Sequence, residues 1–409
     1  MQKREKQKRQ IFYKHRPDYI ITILAVCLIG IGLILIYSTG WISILKQTAG
    51  ASEGNTFFLM QLISLGLGFV GWYLASKFDY HIWQKYATPI FIVSILLMFL
   101  VLIPGISVSS RGASRWVRFG PVNFQPVELF KLGTVIFVSA WLTKNKNKLG
   151  KFVEGLLPLL VVVGIVAILT VLVQKDMGSS MVIILTVLAM YFISGAPWWN
   201  SALSVAIIGG GVGVLAIIAP YRLARVMTFL GKSDEASAST YHINQALIAL
   251  GSGGLLGRGL GKSLQAYGYL PEATNDSIFA IVGEEVGIFG CLIIIALFGI
   301  LFWRGIKISK AAPDMFGKLL SAGIIFWIGF QAMINIAAML NLIPLTGIPL
   351  PFVSYGGTSL IVLLTVIGIL QNISKYTYKE VYDEDPSSRR GNSRAHISGV
   401  GRHRVNSRA

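Results

Sequence analysis

The chain has 409 residues, of which 54% are hydrophobic and only 13% charged, with a mean hydropathy of +0.66. A water-soluble fold of this length needs far more polar surface, so the composition excludes a soluble domain and implies a polytopic α-helical membrane protein. The net charge of +18 does not point to nucleic acid, because the basic residues cluster at the termini and in short loops, the pattern that orients a membrane protein.

In chain order, residues 1–17 form a basic N-terminal segment with seven Lys/Arg. The apolar run that follows lasts to about Ile36, which suits an uncleaved first span better than a signal-peptide core. Apolar runs predict ten spans, near 18–38, 57–76, 83–103, 127–143, 153–173, 178–195, 199–219, 277–303, 319–342 and 352–374. The lysines of "TKNKNKLGK" after the fourth span, Arg304, Lys307, Lys310 and Lys318 after the eighth, and both termini share one side only if the number of spans is even. The expectation is an all-α protein of ten transmembrane helices with both termini cytoplasmic. Cys27 and Cys291 lie in apolar runs and read as small buried hydrophobes, with no disulfide or metal role.

This topology leaves two long segments outside, 104–126 and 220–276. They carry basic residues against the orientation rule: Arg111, Arg115 and Arg118 in the first, Arg222, Arg225, Lys232, Arg258 and Lys262 in the second. Arginine forks suit phosphate oxygens, so the group suggests an outer-face site for an anion, although each residue alone reads equally well as solvated loop charge.

The fourth span opens "FQPVELFKLG", which puts Glu128 and Lys131 one turn apart on one helix face. They are either a stabilising ion pair or a pair lining a polar cavity, and intramembrane charges usually face a cavity. In the turn "VQKDMGSS", Asp176 is placed to cap the next helix. The run "GSGGLLGRGLGKS" at 251–263 ends like a phosphate loop, but Leu256 stands where the first glycine is required, so a bent or partly re-entrant segment is the better reading.

In "GYLPEATNDSIFAIVGEEVG", residues 268–287, Asp276 stands where a polar segment becomes apolar, either as a helix cap or as a functional acid. At about 100° per residue, Ala280, Gly283 and Gly287 form a small-residue strip below it. Glu284 lies at the edge of that face and is expected to share a cavity with Asp276; Glu285 points the other way and needs another partner. In "NLIPLTGIPLPFVSYGGTSLI", Pro344, Pro349 and Pro351 forbid a regular helix, and irregular backbone at that depth belongs beside protein or a watery cavity. Residues 376–409 read as a disordered cytoplasmic tail.

The stretches "GASRWVRFGPVNFQPVELFKLG", "QALIALGSGGLLGRGLG", "YLPEATNDSIFAIVGEEVGIFG" and "LIPLTGIPLPFVSYGGTSLI" occur in the order found in the SEDS family (shape, elongation, division and sporulation), the group of FtsW, RodA and SpoVE. The chain resembles that family from about residue 18 to 375, and "GEEVG" with "PLPFVSYGG" looks more like the FtsW branch. The resemblance implies a ten-helix peptidoglycan glycosyltransferase that polymerises lipid II, an undecaprenyl-pyrophosphate-linked disaccharide-peptide, at the outer face of the cytoplasmic membrane during septal wall synthesis. It implies Asp276 as the essential acid. The family's motifs fall on Gln125, Glu128, Lys131 and Asp176, and together with Arg115, Arg222 and Arg225, whose forks suit pyrophosphate, and with Gln245, Glu272, Glu284, Ser354 and Tyr355 these make up the expected substrate-binding set. The "QxDxG" turn falls on Gln174, Asp176 and Gly178. Thr274, Asn275, Ser277 and Lys175 depart from the usual pattern, which leaves the tuning around Asp276 open. Also implied are a class B penicillin-binding transpeptidase, other division membrane proteins and membrane lipids as partners, with no covalent cofactor and with magnesium or manganese as a candidate ion. A lipid II flippase, or a non-catalytic division scaffold, is the alternative; the first should place pathway residues toward the cytoplasm, and the second does not explain the intramembrane carboxylates.

Overall fold

A computed structural model describes residues 8–46, 53–110, 113–119, 122–218, 220–230 and 238–382. Its helices are α1 (Tyr19–Lys46), α2 (Glu53–Lys77), α3 (His81–Lys85), α4 (Ala87–Phe99), α5 (Pro126–Lys144), α6 (Leu157–Ala167), α7 (Met177–Ile193), α8 (Trp198–Ile218), α9 (Pro220–Phe229), α10 (Ala238–Ser252), α11 (Ile278–Ala311), α12 (Met315–Met339) and α13 (Gly357–Ile373). Wider π-helical turns at Phe152–Leu156 and Ile168–Val173 extend α6 into one apolar stretch. Each of the ten predicted spans has its counterpart. Six helices among the described residues are long and apolar enough to cross a membrane, and Ala87–Leu102, Met177–Ile193 and Gly357–Ile373 are shorter apolar helices; α8 adds 21 residues. Ile23, Ile63, Leu67, Val93 and Leu96 are more than half exposed, as side chains that face lipid must be. Cys27 joins them on the outside, against the expectation that it is buried.

The all-α expectation holds for the bundle, which carries two small additions of strand. Strand β1 (Lys8–Lys14) pairs antiparallel with β5 (Tyr376–Tyr382), so the first part of the expected disordered tail is a strand, while residues 383–409 lie outside those described. This pairing brings both ends of the helical bundle's chain to one side, as an even number of crossings requires. The outer segment 104–126 folds as a three-stranded meander, β2 (Ser107–Ser110), β3 (Ala113–Phe119) and β4 (Val122–Phe124). The connection 220–276 is likewise not a plain loop, since it holds α9 and α10.

Helices α12 and α13 sit at the centre: α12 packs on α5, α7 and α11, and α13 runs along α2. Trp327, Phe316, Ile324 and Leu364 are almost wholly buried there. At the cytoplasmic end, Tyr80 donates its hydroxyl to Asp314. Burial, then that hydrogen bond, pushes the phenol far above its usual range, so it stays a donor and ties the α2–α3 connection to the start of α12.

The glycine-rich segment is built into α11. Gly287 interrupts that helix with φ 75° and ψ −167°, a conformation open essentially to glycine alone. The interruption releases the carbonyls of Glu284 and Glu285, which accept from Arg258 N at 2.9 Å and Gly259 N at 3.0 Å. In return Ile288 N donates to Gly254 O at 3.0 Å. The predicted bent segment is therefore a loop stitched into a broken helix, with its backbone groups satisfied by protein at membrane depth. A Cβ on Gly287 would lie 2.5 Å from Gly257 N and from Leu255 O. Gly287→Ala is expected to cost at least ~1–3 kcal/mol from the backbone conformation alone. The check is thermal unfolding in detergent: a melting temperature equal to that of the parent would refute this account of the kink.

Candidate active site at the outer end of the bundle

The hub of the outer face is the proline-rich connection from α12 to α13, residues 340–356. Its three prolines prevent helix, as the sequence predicts, and its free backbone groups are taken up by the surrounding elements. On α12, Asn335 Nδ2 donates to Ile348 O at 2.7 Å and to Asp276 O at 2.8 Å. Gln331 Nε2 donates to Pro349 O at 3.0 Å. From α9, Arg225 Nη1 donates to Leu345 O at 3.0 Å. Ser354 Oγ donates to Asn275 O at 2.6 Å, and Tyr355 N to Thr274 O at 2.9 Å. Gly178, at the start of α7, lies against Ile348 and Thr346.

Asp276 is half-buried in the turn before α11. Helix α11 begins at Ile278 with Ser277 as its N-cap residue, so Asp276 is not a helical residue. The small-residue strip projected below it as a helix face does not apply. The turn is made by Glu272 at φ 52°, whose Oε2 accepts from Asn275 Nδ2 at 2.7 Å. His242 Nε2 meets Ser277 Oγ at 2.7 Å and braces it from α10. The carboxylate of Asp276 faces Gly347, where a Cβ would stand 3.4 Å from Oδ2. The structure thus brings the candidate acid against the hub loop.

The fourth-span pair belongs to the same assembly. Lys131 Nζ donates to Glu128 Oε1 at 2.8 Å, and both side chains are 1% exposed. The ammonium also donates to Gln331 Oε1 at 3.0 Å and lies over the Trp327 ring. Glu128 Oε2 has no partner. The pair is both an ion pair and a polar lining, and Gln331 connects it to Pro349. Gln125 stands at the N-cap position of α5 and donates its backbone N–H to Thr358 Oγ1 at 3.2 Å.

Several assignments change. Glu284 does not share a cavity with Asp276: it is fully buried and accepts from Ser263 Oγ at 2.5 Å and Leu264 N at 2.9 Å. Arg258 lies 3.5 Å away. The projected helix face failed because Asp276 precedes the helix. Glu285 finds the partners it needs in Ser38 Oγ at 2.6 Å and Gly261 N at 3.1 Å. Both glutamates fasten the glycine-rich loop. Asp176 caps α7, as the sequence predicts: its two oxygens take Ser179 N at 3.0 Å and Ser179 Oγ at 2.8 Å. Ser354 and Glu272 are struts. Gln245 lies on α10, with no link to the hub among the described contacts. The side chain of Arg222, together with Arg111 and Lys232, lies outside the described residues.

Sequence reasoning missed Gln331 and Asn335, although two amides one helical turn apart in an apolar span carry a signal. It named Gln174 only as a motif member. That side chain is 0% exposed, yet both its amide atoms lack partners, as do Asn335 Oδ1, Thr346 Oγ1 and Arg115 Nε. Arg115 Nη2 donates to Lys175 O at 2.8 Å, next to Gln174. Orphaned buried polar atoms each cost about 1–3 kcal/mol, and several of them gather around the 174–176 turn and the hub. Among the described residues no three His, Cys, Asp or Glu side chains converge to hold a metal ion. An ion that arrives on phosphate oxygens needs only one or two protein carboxylates, a role that Asp276 would suit.

Comparison with known proteins extends from this site to the whole chain. The chain is 37% identical over 369 residues to stage V sporulation protein E of Bacillus subtilis (strain 168), covering 89% of this chain and 98% of that protein. It is 36% identical over 358 residues to a probable peptidoglycan glycosyltransferase FtsW of Geobacter sp. (strain M18), covering 87% and 96%. The crystal structure of the rod shape determining protein RodA of Thermus thermophilus superposes with a TM-score of 0.64 at 25% identity, over 88% of this chain and 96% of that one. A chain from a peptidoglycan synthase complex that coordinates polymerization and crosslinking shares the fold, with a TM-score of 0.71 at 24% identity over 88% and 97%. The family model described as cell cycle protein runs from Asp18 at the head of α1 to Lys379 in β5, taking in the hub loop and every residue that meets it, and the chain belongs to this FtsW, RodA and SpoVE family.

Proposed function

We propose that this membrane protein is a peptidoglycan glycosyltransferase that polymerises lipid II at the outer face, with Asp276 as the general base. The observation that carries the reading is the placement of Asp276 against the proline-rich hub, amid buried polar atoms that have no partner within the protein. In the reaction an acceptor sugar hydroxyl attacks the anomeric carbon of a donor held as its lipid pyrophosphate. The new carbon–oxygen bond forms as the bond to the phosphate oxygen breaks. The hydroxyl proton passes to the Asp276 carboxylate, and the electron pair leaves with the pyrophosphate. Arg115, with its unpartnered Nε, meets the developing negative charge. Arg225 is tied to Leu345 O and shapes the hub. The alternative role for Asp276 is to hold a magnesium or manganese ion, which would then activate the acceptor hydroxyl in place of the carboxylate.

The names of the relatives and the synthase-complex neighbour support a crosslinking transpeptidase as partner and division as the setting, at the septum. The test is reconstitution of the purified chain in vesicles with lipid II, followed by separation of the glycan products. Polymer is expected; movement of lipid II between leaflets without polymer would establish a transporter instead.

Gln174 supplies an independent check on the site. Gln174→Met removes the orphaned amide at nearly constant volume, so the melting temperature should hold or rise while turnover falls by roughly tenfold, a loss of ~1.4 kcal/mol of transition-state stabilisation. Full turnover in a destabilised protein would make Gln174 a packing residue only.

A further inference from the structure

We infer that the cytoplasmic end of the bundle carries a binding site for an anionic phospholipid of the inner leaflet. A cavity of about 520 Å³ opens between the start of α1, the end of α11 and the chain leaving α13. His15, Arg16, Arg304 and Lys307 line it. Among the described lining residues Asp18 is the one acid, and that carboxylate is engaged: Oδ2 takes Arg304 Nε at 2.5 Å and Oδ1 takes Ile20 N at 3.1 Å. Three permanent cations thus face one already paired anion.

The mouth is apolar. Tyr19, Ile20 and Ile23 are 56%, 44% and 58% exposed along the outer face of α1, at a depth where exposed apolar side chains meet acyl chains. On α11, Trp303 is 54% exposed, and Lys307 Nζ sits 3.8 Å from the centroid of its ring. An exposed indole with a lysine over it is an interfacial arrangement, the ring at headgroup level and the ammonium reaching toward water. Basic pockets between transmembrane helices on the cytoplasmic side suit phospholipid headgroups. A monoanionic phosphodiester also suits the presence of Asp18 better than a free dianionic phosphate, since like charge in the pocket penalises the second negative charge. An occupant linking Arg16 to Lys307 would reinforce the Arg304–Asp18 pair that already joins the head of α1 to α11.

The experiment uses the full chain in a neutral detergent, with phosphatidylglycerol, phosphatidylcholine and soluble glycerol phosphate as probes, read by native mass spectrometry and thermal unfolding. One phosphatidylglycerol should bind and raise the melting temperature. The double variant Arg16→Gln, Lys307→Gln, which leaves the Arg304–Asp18 pair intact, should bind about tenfold or more weakly. Arg16→Lys with Lys307→Arg should retain binding. The double variant Lys77→Gln, Lys85→Gln removes two lysines that lie over Tyr73 and Tyr86 without lining the cavity, and should bind like the parent. Equal binding of phosphatidylcholine, equal loss in the Lys77 and Lys85 variant, or competition by glycerol phosphate at matched concentration would each overturn the proposal.

Discussion

Asp276→Asn is expected to abolish glycan polymer formation from lipid II, with turnover down roughly 10²–10⁴-fold, the usual contribution of a positioned general base. The same variant should still fold, with the turn in place. The reason lies in how the turn is held. Asn335 reaches the backbone carbonyl of Asp276, Ser354 and Tyr355 hold the backbone of Asn275 and Thr274, and Glu272 and Ser277 close the turn around them. Those ties to α12 and the hub do not need the charge on residue 276. Asparagine keeps the shape of the side chain and loses its capacity to take a proton. Polymer at the parental rate would remove Asp276 from the chemistry; loss of both polymer and stability would make it a structural residue. Glu284→Gln is the contrast, since that carboxylate holds Ser263 and the backbone at Leu264 and should act through the glycine-rich loop's stability.

Much of this arrangement was legible in the sequence because it rests on strong, local signals. The ten apolar runs map onto helices, although α1 ends at Lys46 and α11 at Ala311, well past the predicted ends, and the proline spacing at 344–351 correctly marks irregular backbone. The Asp176 cap and the Glu128–Lys131 contact follow from i,i+3 geometry, which needs no knowledge of the fold. The failures share one cause: they depend on where separate elements meet. Projecting Asp276, Glu284 and Gly287 onto one helix wheel assumed continuous helix from 276 to 287. Instead the helix starts at Ile278 and breaks at Gly287, so the wheel has no meaning across either end. The two glutamates looked costly because their partners, Ser38 and Ser263 with its following backbone, lie on other elements. Gln331 was invisible as a link because its role requires α5 and the hub loop to lie on either side of it.

The second large effect falls on that link. Lys131→Ala is expected to destabilise the protein by about 3–5 kcal/mol, the cost of leaving a buried charge without its partner. With both side chains 1% exposed, Glu128 would lose its one side-chain hydrogen-bond donor among the described residues, and Oε2 already lacks one. Gln331 Oε1 would keep Trp327 Nε1 at 3.0 Å but lose the ammonium. Removing both charges at once is a different perturbation, because well-packed neutral replacements of a buried ion pair are often neutral or stabilising. Glu128→Gln with Lys131→Met should therefore recover most of the melting temperature lost in Lys131→Ala. Polymer formation separates the two meanings of the pair. If it only holds α5 to α12, the double variant regains activity with stability. If its unpartnered oxygen also lines the substrate cavity, stability returns and activity does not, which is the outcome expected from the orphaned Glu128 Oε2. Thermal unfolding and lipid II polymerisation on the same three preparations decide between them.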